Sequence, residues 1–539
     1  MRNTFHLGSL CPATLRQRVC DTIADILLPC LLLLLMASCR SEDNTPIHNY
    51  SINDTQAWAR ADSSYSEQFR ALWLATNCNY ASWDIESIDW DNVYDVYKEK
   101  FRQLDEKRKK GADISDDTIK TLYTEILSPL HDGHLSFQIK NLATGHYVHV
   151  YPSDIRNKAT RNDYNTFVPF QMDNGDGIAQ LPGYDMQSYQ YVNTNGITYY
   201  LSCVDTTVCI MQDSLKRVEE GTMQHAYLEK GLLDMTALKE RLLYLQHTGN
   251  EDYRALSAIN SIYNRYSGMY PDFPLKRAPY TSTGEVALTQ DFYITTGVIN
   301  GSVPYLHLNA FQLSEFLEGN INSDYCRYYY DRVKSAWDNW FQAIQQLSAA
   351  GSLRGVIIDV RNNSGGQTSD FQYVMGALIG EERYVAGTAR EKSGTGRYDY
   401  APLVPLQYRC LKTEHVAVTD VPIVVITNCN TTSMAETTAV VAKQLTNGHV
   451  VGRASWGAAS FLTTPSSYSL VNYAGTFGVK NVTPVYGYIP FMQANFSGLG
   501  VIEGIGVIPD EDVAFDHQAY RQSHRDTQLS AALNHILGQ

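Results

Sequence analysis

The stretch VPIVVITNCNTTSMAETTAVVAKQL, residues 421–445, contains an apolar run, a short polar turn and a helix-forming run in direct succession. Six apolar or proline positions at 421–426 predict a strand buried on both faces, and residues 434–445 predict a helix. Ser433 lies where the strand passes into the helix. There the first helical N–H groups have no intrahelical partner and the helix dipole is positive, so negative charge on a nearby oxygen is stabilised. Ser433 is therefore either an ordinary N-cap residue or a hydroxyl placed for chemistry.

The composition describes a large acidic globular protein. The chain has 539 residues and a formal net charge of −14, which becomes about −15 without residues 1–38. This balance disfavours nucleic acid as a partner, since phosphate binding requires basic patches. Six cysteines follow Cys39, and they lack the spacing of zinc ligands. Cys203 and Cys209 could flank a hairpin and pair, or could be two unpaired cysteines on strands.

The N-terminus has the pattern of a targeting segment. Basic residues precede an apolar run at 26–37 that is too short to span a bilayer comfortably. Residues 35–39, LMASC, resemble a bacterial lipobox, which implies a lipoprotein signal peptide at 1–38 and acylation of Cys39. The resemblance predicts a lipid-anchored protein of the bacterial cell envelope, periplasmic or on the outer-membrane surface, and a signal anchor is the alternative. Residues 39–65 are polar and predict a tether.

Three regions of different pattern follow the tether. Aromatic residues recur at helix-like intervals through 66–140 and predict a helical N-terminal domain. Residues 141–292 mix strand-like alternation, as at 198–201, with a leucine-rich helical pattern, and predict an inserted α/β region. From 293 to 539 strands alternate with helices, which predicts an α/β fold with a substantially parallel sheet. In such sheets functional residues gather where strands end and helices begin.

Two further segments carry candidate site residues. His131 and His134 bracket a glycine at the end of the helical region, and a histidine on a turn suits general-base work because it titrates near neutral pH. Gly365 and Gly366 follow a predicted buried strand at 355–360, where paired glycines let backbone N–H groups approach a ligand oxygen. Each pattern taken alone also fits a purely structural turn.

Together these segments resemble one family. The stretches GVIIDVRNNSGG at 355–366, TTSMAETTAVVAKQL at 431–445 and GRASWG at 452–457 are similar to motifs of the C-terminal-processing and tricorn-core serine peptidases, family S41. His134, within HDGH, and Glu503, within EGIGVIPD, lie in stretches that resemble further motifs of that family. The resemblance covers about residues 66–140 and 297–515. It implies a crotonase/ClpP-like α/β catalytic core.

The family has two catalytic arrangements, and the resemblance is closer to the second. The C-terminal-processing branch uses a lysine downstream of the serine as base, but Ala458 stands at that position. The tricorn-like branch uses a histidine base together with a glutamate and a second serine. By that resemblance Ser433 is the nucleophile, His134 is its base and Glu503 orients and polarises the catalytic network.

The resemblance also implies an oxyanion hole, formed by the backbone N–H groups of Gly365 and Met434. One position departs from the branch, because Gly133 stands where the second serine is usual, directly before the histidine. Ser136 could substitute from the other side, or no side chain fills the role. Two further residues look like supports of the oxyanion loop, Asp359 and Arg361.

The sequence therefore predicts an exported, lipid-anchored serine endopeptidase that acts on a peptide or protein substrate, with no metal or organic cofactor implied. A rival from another class is a non-catalytic protein that binds peptides or a hydrophobic ligand on the same fold. The missing lysine and the glycine at 133 are the two features that keep this alternative open. If His134 lies far from Ser433 in the folded chain, the peptidase mechanism fails.

Overall fold

The structure is a computed structural model. It describes residues 60–538 except 165, 170–184, 249–252, 269–272, 277–291, 319–323, 395, 412–417, 419 and 463–474. The predictions for residues 1–59, including the signal peptide and the acylation of Cys39, lie outside the described residues. No helix within the described ranges is both long enough and apolar enough to cross a membrane.

The N-terminal part is helical, as its aromatic spacing predicts. It contains α1 (Tyr65–Asn79), α2 (Trp90–Lys109) and α3 (Asp116–Leu127). Each begins after a Ser or Asp whose side-chain oxygen accepts a hydrogen bond from a first-turn N–H group. The rings of Trp73 and Trp90 stack with centroids 6.4 Å apart, and each indole N–H donates to the backbone carbonyl of the other residue. An aromatic core therefore joins α1 to α2.

A small antiparallel sheet follows these helices. It contains β1 (Ser136–Lys140) and β2 (Tyr147–Val150), after which comes α4 (Pro152–Thr160). The other neighbour of β1 is a strand far downstream, at Val485–Tyr488. Phe477, Val485 and Ile489 accordingly belong to the same apolar core as the N-terminal helices. The core of the N-terminal part thus includes residues outside 66–140.

After α4, the described residues of the middle region form β3 (Met186–Thr194), α5 (Gly196–Leu215), α6 (Met223–Thr248) and α7 (Tyr253–Tyr266). The strand predicted at 198–201 and the hairpin between Cys203 and Cys209 are wrong, because both stretches lie inside α5. Its buried residues follow helical spacing, and Asn195 caps its first turn. An alternation of four residues is too short to exclude a helix. Both cysteines are free thiols.

The remainder of the chain is mixed α/β, which confirms the predicted fold class. Its elements are β4 (Phe292–Ile299), β5 (Val303–Leu308), α8 (Leu313–Leu317), α9 (Asp324–Ala349), β6 (Val356–Asp359), β7 (Arg383–Glu391), β8 (Val404–Arg409), β9 (Ile423–Thr427), α10 (Met434–Gln444), β10 (Gly448–Gly452), β11 (Phe461–Leu462), β12 (Val485–Tyr488), β13 (Pro490–Phe496), β14 (Glu511–Asp512), α11 (His517–Ser523) and α12 (Thr527–Leu537). Strand β12 is the downstream partner of β1.

A seven-stranded sheet lies at the centre, in the order β14-β10-β9-β6-β5-β4-β3. The strands from β14 to β5 run parallel, and β4 and β3 are antiparallel to their neighbours. Alternate residues of β9 enter two different cores: Ile423 and Val425 join the large cluster that includes α10, and Val424 and Ile426 pack with α12. Burial on both faces explains why this strand is a continuous apolar run.

A second sheet, antiparallel, has the order β11-β13-β7-β8. Strand β11 begins directly after Ser460, and β13 follows β12 after a single residue. Residues of both small sheets, such as Phe461 and Tyr486, line the same space as Gly366 and Ser433, which follow the carboxyl ends of β6 and β9. Ligand sites form at this edge of parallel sheets.

Candidate active site

A cavity of about 840 Å³ is bounded by the N-terminal part on one side and the α/β core on the other. His134, Ser136 and His149 contribute to the first wall, and Ser433 and Gly366 to the second. The volume lies within the range of about 300–1,000 Å³ that is usual for ligand pockets. The fold thus brings the predicted nucleophile and the predicted base, three hundred positions apart in the sequence, to one cavity.

Ser433 occupies the N-cap position of α10 in an unusual conformation. Its φ is 60° and its ψ is −121°, whereas N-cap residues are normally extended. A non-glycine residue in such a sparsely populated region costs about 1–3 kcal/mol and persists only where the surroundings impose it. Here the N–H of Thr432 donates to the carbonyl of Asn363 at 2.9 Å, and the N–H of Ser433 donates to Glu436 Oε2 at 3.0 Å. A strained strand-to-helix turn of this kind presents a side chain for chemistry.

Glu436 fixes the turn from the buried side. Besides the Ser433 N–H, its carboxylate accepts the Ser455 hydroxyl at 2.6 Å and the backbone N–H groups of Gly457 and Ala458, each at 2.7 Å. Burial raises the pKa of Glu436 to about 7, while these donors act in the opposite direction. The sequence motif contained Glu436, but only the fold shows that its carboxylate ties the Ser433 turn to the 455–458 segment.

The loop after β6 rests on a buried ion network, as predicted for Asp359 and Arg361. The Arg361 guanidinium is fully buried and donates to Asp359 Oδ2 at 2.6 Å and to Asp526 Oδ2 at 2.8 Å. Gln528 accepts a further bond from Arg361 Nη1 at 3.0 Å. Two carboxylates hold the guanidinium, and one of them belongs to Asp526, the N-cap residue of α12. The loop therefore has a rigid base beside the Ser433 turn.

Gly365 packs against the nucleophile turn but its N–H is already engaged. That N–H donates to Asn363 Oδ1 at 2.8 Å, so in this conformation it does not point at a substrate oxygen as predicted. The residue has φ +84°, and a Cβ there would lie 2.5 Å from Ser433 Cβ, so only glycine fits. Gly366 and Met434 line the cavity instead, and no acceptor among the described residues takes either backbone N–H. They are the N–H groups available to an oxyanion.

His134 lies at the cavity wall with its side chain only 9% exposed. Burial lowers the pKa of His134 to about 4, so the ring is neutral at neutral pH and able to accept a proton. The structure describes both His134 and Ser433, and no hydrogen bond joins their side chains. His131 does not reach the cavity, because its Nδ1 lies 2.7 Å from Glu86 Oε2. The two histidines of the motif therefore have different environments.

Glu503 is buried beside His134, which excludes its being a surface carboxylate. It accepts the backbone N–H groups of Ala459 and Ser460 at 2.8 and 2.5 Å, and that of Gly133 at 3.3 Å. Burial raises the pKa of Glu503. Asp132 Oδ1 accepts the His134 N–H at 2.9 Å, so the Asp132 side chain caps the turn that carries His134. Burial, and then the nearby Glu503 charge, raise the pKa of Asp132 well above its usual range.

Gly133 cannot carry the second serine of the tricorn-like pattern. A Cβ at this position would lie 2.1 Å from the carbonyl oxygen of Gly457 and 2.5 Å from Ala458 Cβ. The departure from the pattern is thus imposed by the close passage of the 457–458 segment. Ser136 begins β1 and lines the cavity, and Ser460, which sequence reasoning missed, lines it beside Glu503. No motif marks Ser460, because only the fold places it there.

With this geometry in place, comparison with known proteins identifies the domain. The sequence model of peptidase family S41 matches residues 302–513, which include the Ser433 turn, the loop of Gly365 and Glu503. These residues form an S41 peptidase domain, and the chain is therefore a hydrolase of the serine peptidase class. No curated protein matches the chain.

Solved structures resemble the chain only distantly. A Parabacteroides merdae protein solved as a candidate peptidase has 14% identity and a TM-score of 0.47, with 88% of this chain and 97% of that chain covered. Mature CPAF complexed with lactacystin has 12% identity and a TM-score of 0.41 over 88% of this chain and 98% of that chain. The photosystem II D1 C-terminal processing protease has 16% identity and a TM-score of 0.25 over 42% and 58% of the two chains.

Proposed function

We propose that the chain is an exported serine endopeptidase in which Ser433 is the nucleophile, His134 is the general base and Glu503 orients the network. The observation that carries the proposal is the shared cavity, in which a serine held in a strained strand-to-helix turn and a buried neutral histidine line one space. The substrate is a peptide or protein segment bound in that cavity.

The reaction follows from these positions. The Ser433 hydroxyl attacks a peptide carbonyl while His134 takes its proton, and the negative charge moves to the carbonyl oxygen. The N–H groups of Met434 and Gly366 donate to that oxygen, where losing one such donor typically costs about 3–4 kcal/mol of transition-state stabilisation. His134 then gives the proton to the leaving amine. Water hydrolyses the acyl-enzyme in a second round with the same base.

A fluorophosphonate probe tests the nucleophile. Labelling of the wild type, with none in Ser433→Ala, is expected because the probe reacts only with an activated serine. His134→Ala should also lose labelling and peptide cleavage, whereas His131→Ala is the matched control and should keep both, since His131 contacts Glu86 outside the cavity. Equal labelling of the wild type and Ser433→Ala would sink the proposed mechanism.

A non-catalytic binding protein is the second candidate function. It is favoured by the absence of a hydrogen bond between the described side chains of His134 and Ser433, and by the engagement of the Gly365 N–H with Asn363. Under this reading peptides or a hydrophobic ligand occupy the cavity without turnover. Absence of probe labelling in the wild type, together with saturable peptide binding that Ser433→Ala retains, would favour it over the peptidase.

Export and membrane attachment form a separate part of the proposal. They are supported by the apolar run at 26–37 and the lipobox-like residues that end at Cys39. In bacterial cells, metabolic labelling with a palmitate analogue should mark the wild type and not Cys39→Ser. Recovery of the wild type from the envelope fraction without lipid label would contradict the anchor but leave the peptidase proposal untouched.

A further inference from the structure

Asp132, His134 and Glu503 form a buried cluster beside the cavity. One ligand-type atom from each residue lies within 4.8 Å of those of the other two. Asp132 is fully buried, Glu503 is 2% exposed and the His134 side chain is 9% exposed. Of these three residues only His134, the proposed catalytic base, lines the cavity. Asp132 and Glu503 lie behind it.

Two atoms of this cluster have no hydrogen-bond partner within the described residues, Asp132 Oδ2 and His134 Nδ1. The nearest Asp132 oxygen to Nδ1 is 3.8 Å away, which is too far for a hydrogen bond. Burying such an atom without a partner is unfavourable, so two unpaired atoms in one place require an explanation. The other oxygen of Asp132 and the carboxylate of Glu503 already accept backbone N–H groups, which fixes the orientation of both side chains.

Position 133, between Asp132 and His134, cannot supply a side chain that would pair with these two atoms. Position 133 holds a glycine because a Cβ would collide with the carbonyl of Gly457. The cation that acts on Asp132 and Glu503 is Arg156, whose Nη1 donates to the carbonyl of Leu130. The cluster therefore combines two buried carboxylates, an unpaired imidazole nitrogen and one neighbouring guanidinium that is not bonded to them.

An imidazole nitrogen with two carboxylate oxygens is a ligand set that suits Zn²⁺ and similar divalent transition ions. We propose that Asp132, His134 and Glu503 form an inhibitory binding site for Zn²⁺. The ion coordinates His134 Nδ1, Asp132 Oδ2 and one Glu503 oxygen. With a cation on Nδ1, the other ring nitrogen no longer takes a proton readily, so the ion prevents His134 from acting as the base. The inhibitory effect rests on the proposed function, whereas the binding does not.

Calorimetric titration of the full-length protein with ZnCl₂ tests the binding independently of activity. One ion per chain is expected, and Asp132→Asn should weaken binding by more than the roughly 10- to 100-fold that loss of an outer partner of a metal ligand costs. His535→Gln is the control for the stacked His449–His535 ring pair, which lies outside the cluster, and should leave this binding unchanged. Absence of binding by the wild type, or equal binding by Asp132→Asn, would overturn the proposal.

Cobalt gives a readout that does not depend on how well a variant folds. The wild type loaded with CoCl₂ should show the visible absorption of a four- or five-coordinate ion with nitrogen and oxygen ligands. A strong thiolate charge-transfer band would place the ion on cysteine and overturn the proposal. In a separate measurement, Zn²⁺ should slow fluorophosphonate labelling of Ser433, and a chelator should restore it. A wild type that never labels contradicts the peptidase, while calorimetry still decides the site.

Discussion

At Gly133 a single hydrogen atom in place of a side chain allows two backbone segments to touch. The carbonyl of Gly457 lies where a Cβ would be, and the Gly133 N–H in turn donates to Glu503. The same residue therefore removes the expected second serine and permits the approach of the segment that carries Ala458. Its role is visible only in the folded chain, because the sequence shows a glycine in a turn and nothing more.

Gly133→Ala should lower the melting temperature and abolish peptide cleavage. The added methyl group must displace backbone rather than a flexible side chain, and such overpacking costs about 1–3 kcal/mol. Differential scanning fluorimetry and a peptide cleavage assay measure the two effects. Gly268→Ala is the matched control, since a Cβ there meets nothing within 4 Å. Normal cleavage by Gly133→Ala would contradict the close contact.

Arg361→Met should destabilise the protein strongly. The substitution leaves Asp359 and Asp526 as buried carboxylates without a counter-ion, and breaking a buried ion pair in this way costs about 3–5 kcal/mol. Urea unfolding followed by tryptophan fluorescence measures the loss. Arg102→Met, at an exposed ion pair on α2, is the control and should leave the unfolding midpoint almost unchanged. A similar small effect at both positions would show that the network does not hold the loop.

Among the helices and strands, the sequence predicts most accurately those that are buried between two apolar cores. Strand β9 and helix α10 lie within two residues of the predicted 421–426 and 434–445, because a run buried on both faces is long and uniformly apolar. Helix α5 was missed where short alternation at 198–201 resembled a strand. The Ser433 turn lies between strand and helix as the sequence predicts. The role of the Gly365 N–H in an oxyanion hole stays a prediction, because in this conformation the Asn363 side chain accepts that N–H.

Helix α12 carries a pH-dependent contact with β10. The rings of His449 and His535 stack with centroids 3.8 Å apart. Burial, and then His535, lower the pKa of His449; Lys443 acts in the same direction, while Asp510 and Glu511 oppose the shift. The unfolded chain therefore binds the proton more readily than the folded chain, and stability falls as the pH drops below the ordinary histidine value of about 6.5.

His449→Gln should reduce this acid sensitivity. The expected result is a smaller loss of melting temperature than in the wild type between about pH 8 and about pH 5.5, because the variant has no group to titrate at this contact. Differential scanning calorimetry in buffers of equal ionic strength measures both proteins. The same acid-induced loss in the wild type and the variant would show that the stacked pair does not contribute.

Across the whole molecule, the N-terminal part and the core share structural elements. Strand β12 pairs with β1, and Arg397 donates to Asn77 at 2.7 Å and pairs with Asp91 at 2.5 Å. A change of sequence pattern near residue 140 predicts a domain boundary there. Local pattern cannot reveal a strand pairing across more than three hundred residues. The position of His134 against Ser433 therefore depends on contacts that no local pattern encodes.

A fragment of residues 60–161 should not fold cooperatively by itself. Without β12 the strand β1 has one free edge, and the aromatic core loses Phe477, Val485 and Ile489. Thermal melting followed by near-ultraviolet circular dichroism is expected to show no sharp transition. Addition of a peptide covering residues 475–496 provides the control, since it restores the missing strand. A sharp transition in the fragment alone would mean that the N-terminal part is autonomous.

The buried Arg361 network also sets the order in which the site can be completed as the chain is made. The loop beside Ser433 gains its second carboxylate only when Asp526 has been added, because Asp526 lies 165 residues after Arg361 in the sequence. The position of His134 depends on the pairing of β1 with β12, and Glu503 follows β12 in the sequence. We therefore expect a ribosome-bound chain to lack peptidase activity until Asp526 has left the ribosome, so that the order of synthesis delays completion of the site.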